Sequence, residues 1–469
     1  MQHASKLLVT LSALALSACA VGPDYAEPTA RPASTGPFLS ASDPAFTPTP
    51  LPADWWRLYD DPVLDSLVAD ALGANTDVRQ ALANIERARA GVRAVRGDRL
   101  PQAALGTSAT YGRLPEQQVL PGMDREGWSY DAGIDVGYEI DLFGRISRGI
   151  EAARADLAAS EADADAVRVI VAAETTRAYA DAASAASQIG VAREIVALLE
   201  RSEALTRRRH DAGLENGLAI SRIATLRQQR EAQIPLLEAQ RAAALFRLAT
   251  LTGRAPAELP PIAGERSLVL EMEQPLPIGD GASLLARRPD IRSAERRLAA
   301  ETARIGVATA DLYPSITLGG SIGSTGSTLG DIFTGGPFRW LAGPLLSWTF
   351  LNQEAIRARI QASEADAQRS LAAFDGTILG ALEETETALS NYARALERRR
   401  SLQSASAEAE NVVRIVSAQQ REGTINSLDR LDAERTLAEA RAELASQDAA
   451  ISRAQIDVFR ALGGGWTTG

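Results

Sequence analysis

Residues 127–144 read GWSYDAGIDVGYEIDLFG, and the side chains in this stretch alternate between two kinds. Even positions from 128 to 142 are apolar or aromatic, and the odd positions between them are Gly, Ser or acidic. A repeat of two residues predicts a β-strand with one apolar and one acidic face. The predicted apolar face carries Trp128, Tyr130, Ile134, Val136 and Tyr138, and the acidic face carries Asp131, Asp135 and Glu139.

The chain repeats itself around this strand. The stretch DVRQALANIERARAGVRAVRGDRLP (77–101) aligns without gaps to DIRSAERRLAAETARIGVATADLYP (290–314), an offset of 213 residues. Later pairs, such as Gly253 and Gly463, keep an offset of 210. An offset held over so long a stretch indicates an internal duplication. Each half is predicted to contain a helix, two strands, a very long helix, a glycine turn and another long helix.

The duplication predicts two β-hairpins, at 102–142 and 315–351. Their first strands, 102–113 and 315–326, each follow a proline and alternate more weakly than the strand already described. The second strand of the second hairpin, FRWLAGPLLSWTF (338–350), places Trp340 and Trp348 on its apolar side. One chain therefore offers four amphipathic strands.

Two uninterrupted helical patterns follow the hairpins, from about 144 to 210 and from about 352 to 421. At 1.5 Å per residue, each helix would be about 100 Å long. Apolar residues recur at seven-residue spacing in the first helix, at Leu157, Ala164, Val171, Ala178, Ala185, Ala192 and Leu199. Such a heptad stripe predicts packing against neighbouring helices along the whole length.

The N-terminus is typical of a bacterial lipoprotein. Lys6 precedes the apolar stretch LLVTLSALALSA (7–18), which is too short to span a membrane as a helix. The stretch ends in LSAC (16–19), so Cys19 is the predicted site of lipidation, and Ala20 after it favours sorting to the outer membrane. Residues 19–60 contain many prolines, which predicts an extended segment without helix.

The predicted organisation has six parts. They are a signal peptide (1–18), the lipidated extended segment (19–60), a first repeat (61–253), a linker (254–285), a second repeat (286–463) and a C-terminal tail (464–469). Helical structure is expected to begin near Asp61 and Pro62, because proline suits the first turn of a helix.

Composition excludes several classes of function. A net charge of −11 argues against nucleic acid as a partner, because little here would neutralise phosphates. One cysteine and two histidines leave no disulfide and almost exclude a His/Cys metal site or catalytic dyad. Carboxylate-only sites are not excluded by counting, but no acidic pair lies in a recognisable pocket motif. We therefore expect no cofactor, no metal and no enzymatic activity.

Four amphipathic strands leave two open sheet edges, which a lipid-facing sheet cannot have. The smallest membrane barrels use about eight strands, so the chain must pool strands with copies of itself. A dimer would supply eight strands and a trimer twelve. The apolar face would then contact lipid, and the acidic face would line a water-filled lumen. A soluble sandwich edge is the alternative, although two hairpins supply little sheet for one.

Several long stretches of the chain resemble outer-membrane efflux factors, in the lipoprotein (NodT-like) branch of the TolC-like group. They are CAVGPDYAEP (19–28), WWRLYDDPVLDSLVADAL (55–72), RRPDIRSAERRLAAETARIGVATADLYPSI (287–316) and EGTINSLDRLDAERTL (422–437). The resemblance implies a mainly α homotrimer whose twelve strands form an outer-membrane β-barrel. It also implies a long periplasmic α-helical coiled-coil tube, with the linker as a belt around it. A periplasmic adaptor protein and an inner-membrane pump are the implied partners.

Each long helix ends at a glycine turn, HDAGLENGL (210–218) or QREGTINSL (420–428). Gly213 and Gly423 suit the left-handed position that ends a helix. These turns lie farthest from the strands, and the resemblance implies that adaptor proteins dock there. The residues expected to contact the adaptor are Gly213, Leu214, Gly217, Gly423 and Thr424.

The two copies differ just after the turn. Asp429 and Asp432 in the second copy replace Ala219 and Arg222 of the first, and their spacing puts them on one helix face. In the TolC-like pattern, the matching aspartates form the ring that closes the periplasmic entrance. Alternatively, Asp429 only stabilises the start of a helix that Ser427 caps.

The sequence departs from the TolC-like pattern beside these aspartates. Gln420 and Ile425 stand where a tyrosine and an arginine help to latch the gate. We therefore expect other partners to hold the entrance shut, such as ion pairs between protomers formed by Arg222 or Arg430.

Together these features predict a passive export duct for small molecules, the outer-membrane channel of a tripartite efflux system gated at its periplasmic tip. A type I secretion duct uses the same architecture and stays open as an alternative. A trimeric coiled-coil envelope protein would need the helices but not the strands. A constitutively open porin would need the strands but not the long helices.

Overall fold

The structure is a computed structural model that describes residues 20–29, 32–115, 117, 124–272, 274–334, 338–422, 424–425 and 427–465. The predicted signal peptide, Cys19 and Gly423 lie outside the described residues. The chain divides into two compact units. The first consists of Met1–Pro28, Asn84–Glu161 and Ser293–Asp375, and the second of Thr29–Ala83, Ala162–Arg292 and Gly376–Gly469. Each unit draws on both predicted repeats.

The helices and strands are numbered in chain order. The α-helices are α1 (Pro32–Thr35), α2 (Pro62–Ala74), α3 (Thr76–Gly97), α4 (Arg145–Asp211), α5 (Gly217–Glu231), α6 (Ile234–Leu251), α7 (Gly281–Arg287), α8 (Pro289–Ala310), α9 (Glu354–Arg421) and α10 (Ser427–Ala461). The strands are β1 (Phe46–Thr47), β2 (Gln102–Arg113), β3 (Glu126–Ile140), β4 (Leu276–Pro277), β5 (Ser315–Gly326) and β6 (Phe338–Ser347). Short 3-10 helices span Leu39–Ser42, Trp55–Tyr59, Pro256–Glu258, Pro261–Gly264 and Leu329–Phe333.

The first unit contains a four-stranded antiparallel sheet in the order β2-β3-β5-β6. Strand β3 ends at Ile140, two residues before the predicted end, because the Asp141 carboxylate accepts hydrogen bonds from the backbone at the start of α4. Strand β6 ends at Ser347, three residues earlier than predicted. Trp348 therefore lies beyond the strand, and its indole N–H donates to the Leu312 carbonyl at 3.0 Å.

The long helices α4 and α9 have 67 and 68 residues and lie within two residues of their predicted limits. The heptad stripe of α4 is buried from Ala164 to Leu199, and Leu157 is half-buried. Alanine at these positions lets neighbouring helices approach closely. By length and composition α4 is also apolar enough to cross a membrane, a property that buried core helices share.

The proline-rich segment differs from its prediction. We expected residues 19–60 to be extended and free of helix, but α1 and two 3-10 helices form within its described part. Pro32 begins α1, where a missing N–H costs nothing. The segment also supplies buried side chains to the second unit: Phe38, Phe46, Leu51, Trp55, Trp56 and Tyr59. Trp55 stacks on Phe459 of α10, with ring centroids 4.7 Å apart.

Two further features of the second unit were not expected from the sequence. Strands β1 and β4 form a small parallel pair, which joins the proline-rich segment to the predicted linker. The helix after the first turn is broken between Glu231 and Ile234, where Pro235 cannot continue the hydrogen-bond ladder, whereas α10 is unbroken over 35 residues. The expectation of one long helix after each turn is therefore wrong for the first repeat.

Helix α2 begins where the sequence predicts. Asp61 caps it by accepting hydrogen bonds from the N–H groups of Val63 and Leu64, at 2.9 and 3.2 Å. The same carboxylate accepts from the Tyr179 hydroxyl (3.0 Å) and from Arg266 (2.8 Å). One buried aspartate thus ties the first helix, α4 and the linker together.

Candidate functional site

The two faces of the four-stranded sheet differ in chemistry. The register aligns Leu105 with Ile134, Ile134 with Ile322 and Ile322 with Trp340, so one apolar row crosses all four strands. Trp128, Ile134, Val136, Tyr138 and Trp340 share this face, and each exposes between 36% and 71% of its surface. A soluble monomer rarely exposes so continuous an apolar patch.

Aromatic side chains gather at both ends of this apolar face. At the end of the sheet where β2 connects to β3, Trp128 packs against Tyr111 and Tyr130, with ring centroids 5.6 and 5.8 Å apart. At the opposite end, just after β6, Trp348 and Phe350 are 5.7 Å apart. Two aromatic groups that flank an apolar band are typical of strands that cross a bilayer.

The opposite face carries the three predicted acidic residues of β3, and two of them are neutralised. Arg339 of β6 donates to both carboxylate oxygens of Asp131, at 3.0 and 2.8 Å, and the Thr325 hydroxyl donates to the same group at 2.5 Å. Arg145 forms a two-pronged ion pair with Glu139, with N···O distances of 2.9 and 2.6 Å. The acidic face is thus less negative than the sequence of β3 alone predicts.

Asp135 lies on the same face between these two pairs. It is exposed, and its side chain forms no hydrogen bond or ion pair with any residue that the structure describes. Its neighbours across the sheet are Ala104 of β2 and Ser321 of β5. Neither side chain carries a charge.

Hydrogen bonds join α4 to the end of the sheet at which β3 leads into the helix, here called the foot of the sheet. The Asp141 carboxylate accepts from the N–H groups of Ile146 and Ser147 and from the Ser147 hydroxyl, at 2.9, 2.8 and 2.6 Å. Gly144 has a φ of 79°, which lets the chain turn between strand and helix. Since Asp141 caps α4, the direction of the helix is tied to that of β3.

The segment that follows Cys19 is docked on this foot. The Val21 N–H donates to the Phe143 carbonyl at 3.2 Å, and Gly22 lies so close to α8 that a Cβ on it would be 2.4 Å from the Gly306 Cα. The buried Arg148 donates to Asp24 at 2.6 Å and to the Val21 carbonyl at 3.3 Å. The lipidation prediction itself concerns Cys19, which lies outside the described residues.

The first turn has the geometry that its glycine predicts. Gly213 has a φ of 73°, and the Leu214 N–H donates to the Arg209 carbonyl at 2.8 Å, which closes the end of α4. Leu214 is 67% exposed. Asn216 then caps α5, which begins at Gly217.

The second turn repeats part of this pattern. The Thr424 N–H donates to the Gln419 carbonyl at 3.1 Å, which is the counterpart of the Leu214 bond 210 residues earlier. Helix α10 begins at Ser427, so Ser427 is its first helical residue and not the predicted cap before it. Gly423, predicted to contact an adaptor, lies outside the described residues.

Asp429 and Asp432 are both exposed on the first two turns of α10. Asp432 pairs with Arg435 one turn later at 2.8 Å. A cavity of about 620 Å³ lies between α5 and α10 beside these residues, lined by Leu218, Arg222, Leu226, Leu428, Leu431, Asp432 and Arg435 among others. Within the described part of the chain, Arg222 forms no ion pair.

Arg430 is engaged within its own chain. Its guanidinium donates to Glu434 and to Gln420, each at 2.8 Å, and the Ser202 hydroxyl donates to the same Glu434 oxygen at 2.6 Å. The predicted latch between protomers stays a prediction, and in this chain the Arg430 guanidinium binds residues of α9 and α10. The replacement Gln420 instead belongs to a buried network that joins α4, α9 and α10.

Sequence reasoning missed the cations of the site. Arg339 and Arg145 lie 208 and 6 residues from their carboxylate partners. The second pair could have been found from its short spacing, but the first depends on the sheet register. The role of Arg148 could not be predicted, because the sequence alone does not distinguish a buried arginine in a helix from a solvent-exposed one.

The sequence profile described as outer membrane efflux protein matches the chain twice, over residues 67–254 and 282–464. Outer membrane protein OprJ of Pseudomonas aeruginosa is 32% identical over 464 residues, which cover 98% of this chain and 95% of OprJ. Nodulation protein T of Rhizobium leguminosarum bv. viciae is 30% identical over 482 residues, covering 99% of this chain and 94% of that protein.

Solved structures give the same result. The outer-membrane channel OprN matches with a TM-score of 0.89 at 35% identity, over 96% of this chain and 100% of the OprN chain. The solved relatives are trimeric outer-membrane channels, which confirms the predicted fold class of a mainly α trimer with a membrane β-barrel and an internal duplication. The resemblance to NodT-like efflux factors, the outer-membrane location and the role as an efflux channel are likewise confirmed. The chain belongs to the outer membrane efflux protein family.

Proposed function

We propose that this efflux channel is a passive exit duct, closed at its periplasmic tip and driven by an inner-membrane pump through a periplasmic adaptor. The observation that carries the proposal is the four-stranded sheet, which is apolar on one face and charged on the other, with β2 and β6 as its edges. Lipid does not tolerate unpaired strand edges. Three copies can pair β2 of one chain with β6 of the next and close a twelve-stranded barrel.

The split between lipid and water is tested at two adjacent residues. Spin labels at Ile134→Cys and Asp135→Cys, in trimers reconstituted into outer-membrane lipid, should report opposite surroundings. The label at 134 should be accessible to oxygen in the lipid, and the label at 135 to a water-soluble relaxation agent. Val136→Cys and Gly137→Cys provide a matched pair two residues along β3. Equal accessibility at both members of each pair would contradict a barrel with this orientation.

The gate is assigned to Asp429 and Asp432. Both are exposed on one face of α10 just after the second turn, and three chains would bring six carboxylates to one opening. Like charges at short range repel one another and attract counter-cations. A closed tip of this kind should therefore bind divalent cations.

The double variant Asp429→Ala/Asp432→Ala should raise single-channel conductance in planar bilayers and weaken block by divalent cations. The control is Glu443→Ala, which removes another exposed carboxylate of α10, farther from the turn, where it pairs with Arg398. Conductance and divalent block that stay at the level of the unmodified channel would remove the two aspartates from the gate.

The two turns are assigned to adaptor contact. Gly213, Leu214, Gly217 and Thr424 lie in or beside them, and exposed leucines (Leu218 and Leu428) line the nearby cavity between α5 and α10. An apolar groove between two helices is suited to receive a partner helix. Photocrosslinkers at Leu214 and Thr424 should capture the adaptor in cells, whereas one at Leu105 in the sheet should not. Equal capture from all three positions would contradict the assignment.

Cys19 is assigned as a lipidated residue that anchors the docked segment after it. This assignment is supported by the stretch LSAC (16–19) after the apolar segment and by the contacts that hold Val21 and Gly22 at the foot of the sheet. Mass measurement of the N-terminal peptide should show an acylated Cys19 and no residues before it. The duct itself requires no cofactor and catalyses no reaction, because transport through it uses the energy of the pump.

A further inference from the structure

The acidic side of β3 carries three carboxylates but only one unbalanced charge. Asp131 and Glu139 are each paired with an arginine through both carboxylate oxygens; Arg339 uses one nitrogen for Asp131, and Arg145 uses two for Glu139. In each pair the opposite charges lie within hydrogen-bonding distance of each other, so the pair leaves little net field beyond a few ångströms. Asp135, midway between them, forms no ion pair with any described residue.

The surroundings of Asp135 leave its charge open to solvent. Its sheet neighbours on the same face are Ala104 and Ser321, and the next positions along its own strand on that face are Gly133 and Gly137. Two strands away, the residue aligned with Ser321 is the apolar Leu341 of β6. The Arg339 guanidinium lies beside Gly133, the next position along this face, but it is bound to Asp131. The side chains aligned with Asp135 across β2, β5 and β6 carry no charge.

We propose that Asp135 determines the cation preference of the barrel lumen, as a ring of three carboxylates contributed by the three chains. The proposal rests on the proposed function, because it requires this face to line a water-filled lumen. In the closed ring each chain contributes Asp135 at the same height. The Asp131–Arg339 and Glu139–Arg145 pairs flank it along β3, and neither pair carries a net charge.

The size of the effect follows from the barrel dimensions. Twelve strands spaced about 4.8 Å apart and tilted by about 40° give a radius of about 12 Å, which leaves the carboxylates roughly 9 Å from the axis. Three charges at that distance in water should enrich monovalent cations on the axis about fivefold at 10 mM salt, where the Debye length is about 30 Å. At 1 M salt the Debye length is about 3 Å, and the enrichment should nearly vanish.

The test measures the ratio of K⁺ to Cl⁻ permeability from reversal potentials across planar bilayers. It is made twice, with KCl gradients centred on about 10 mM and on about 1 M. It is made in the Asp429→Ala/Asp432→Ala background, so that the tip aspartates do not contribute whether or not they form the gate. Asp135→Asn should lower the ratio severalfold at 10 mM and leave it nearly unchanged at 1 M. The matched control is Asp131→Asn/Arg339→Gln, which removes a balanced pair and should leave the ratio unchanged.

A second variant keeps the test decisive if Asp135→Asn impairs assembly. Asp135→Cys can be modified in the assembled channel, where a negatively charged thiol reagent should raise the ratio and a positively charged one should lower it. An unchanged ratio in channels that conduct normally, or an equal loss in the Asp131→Asn/Arg339→Gln control, would overturn the role of Asp135. An unmodified trimer that conducts no ions at all would instead contradict the proposed duct.

Discussion

Replacing Arg430 by alanine should loosen the tip of α10 far more than replacing the nearby Arg435. Arg430 donates to Glu434, whose side chain is 1% exposed, and to the buried Gln420 at the end of α9. Arg435 pairs with Asp432 on the surface, where the two side chains are 54% and 69% exposed. The two variants therefore remove one arginine each from the same helix, in opposite environments.

The magnitudes follow from these environments. Without Arg430, the Glu434 carboxylate keeps the Ser202 hydroxyl on one oxygen, while its other oxygen has no hydrogen-bond partner among the described residues. Leaving one member of a buried ion pair unpaired costs about 3–5 kcal/mol. An exposed pair within one helix contributes only about 0.3–0.5 kcal/mol. The free energy of local opening at the tip should fall by these amounts.

Amide hydrogen exchange measured by mass spectrometry on the assembled trimer provides the assay. Peptides that cover the first turns of α10 should exchange roughly 10²- to 10⁴-fold faster in Arg430→Ala, and about twofold faster in Arg435→Ala. The double variant Arg430→Ala/Glu434→Leu removes both charges and should recover most of the protection. Equal exchange in the two single variants would refute the view that the buried network, and not surface pairing, holds the tip.

Two further predictions concern regions outside the membrane. Gly306→Ala would place a Cβ 2.8 Å from the Arg148 Cγ, so the docked N-terminal segment should become sensitive to protease and the first unit should lose about 1–3 kcal/mol of unfolding free energy. The control Gly376→Ala should show no loss, because its Cβ would meet no atom within 4 Å. Equal protease resistance of the two variants would contradict the docking. Hydrogen bonds from Arg207 lower the pKa of Glu203 below its ordinary value of 4.5. The ionised carboxylate therefore stabilises the fold above pH 4.5, and this contribution is lost as the pH falls through the lower folded pKa. Between about pH 6 and pH 3 the unfolding temperature should fall less steeply in Glu203→Gln than in the unmodified protein, and parallel curves would contradict the linkage.

The strands and long helices were predictable because their signals are local and periodic. The alternation in β3 and the uninterrupted pattern of α4 each depend on neighbouring residues alone, and the observed limits agree within a few residues. The ends of β3 and β6 were less predictable. At Asp141 a helix cap competes with the strand pattern, and the cap determines where the strand ends.

The proline-rich segment was misjudged because its role depends on distant parts of the chain. Trp55 packs on Phe459, more than four hundred residues later, and Phe46 pairs with Leu276 in a two-stranded sheet. Proline excludes long helices but not single turns, and nothing in the local sequence tells which aromatic side chains a later segment will cover. The charges of the site have the same dependence, since the partner of Asp131 is known only once β6 is in register.

The duplication did not produce two equivalent hairpins. Strand β3 carries Asp131, Asp135 and Glu139, whereas β6 presents Arg339, Leu341 and Leu345 on the same face. The second hairpin thus supplies the counter-charge of the first, and an assembly of identical hairpins would lose the Asp131–Arg339 pair. The tip shows the same divergence, because Asp429 and Asp432 correspond to Ala219 and Arg222. Since each charge occurs in one copy of the repeat, the rings in the trimer contain three residues of each kind, and a single substitution such as Asp135→Asn removes a complete ring.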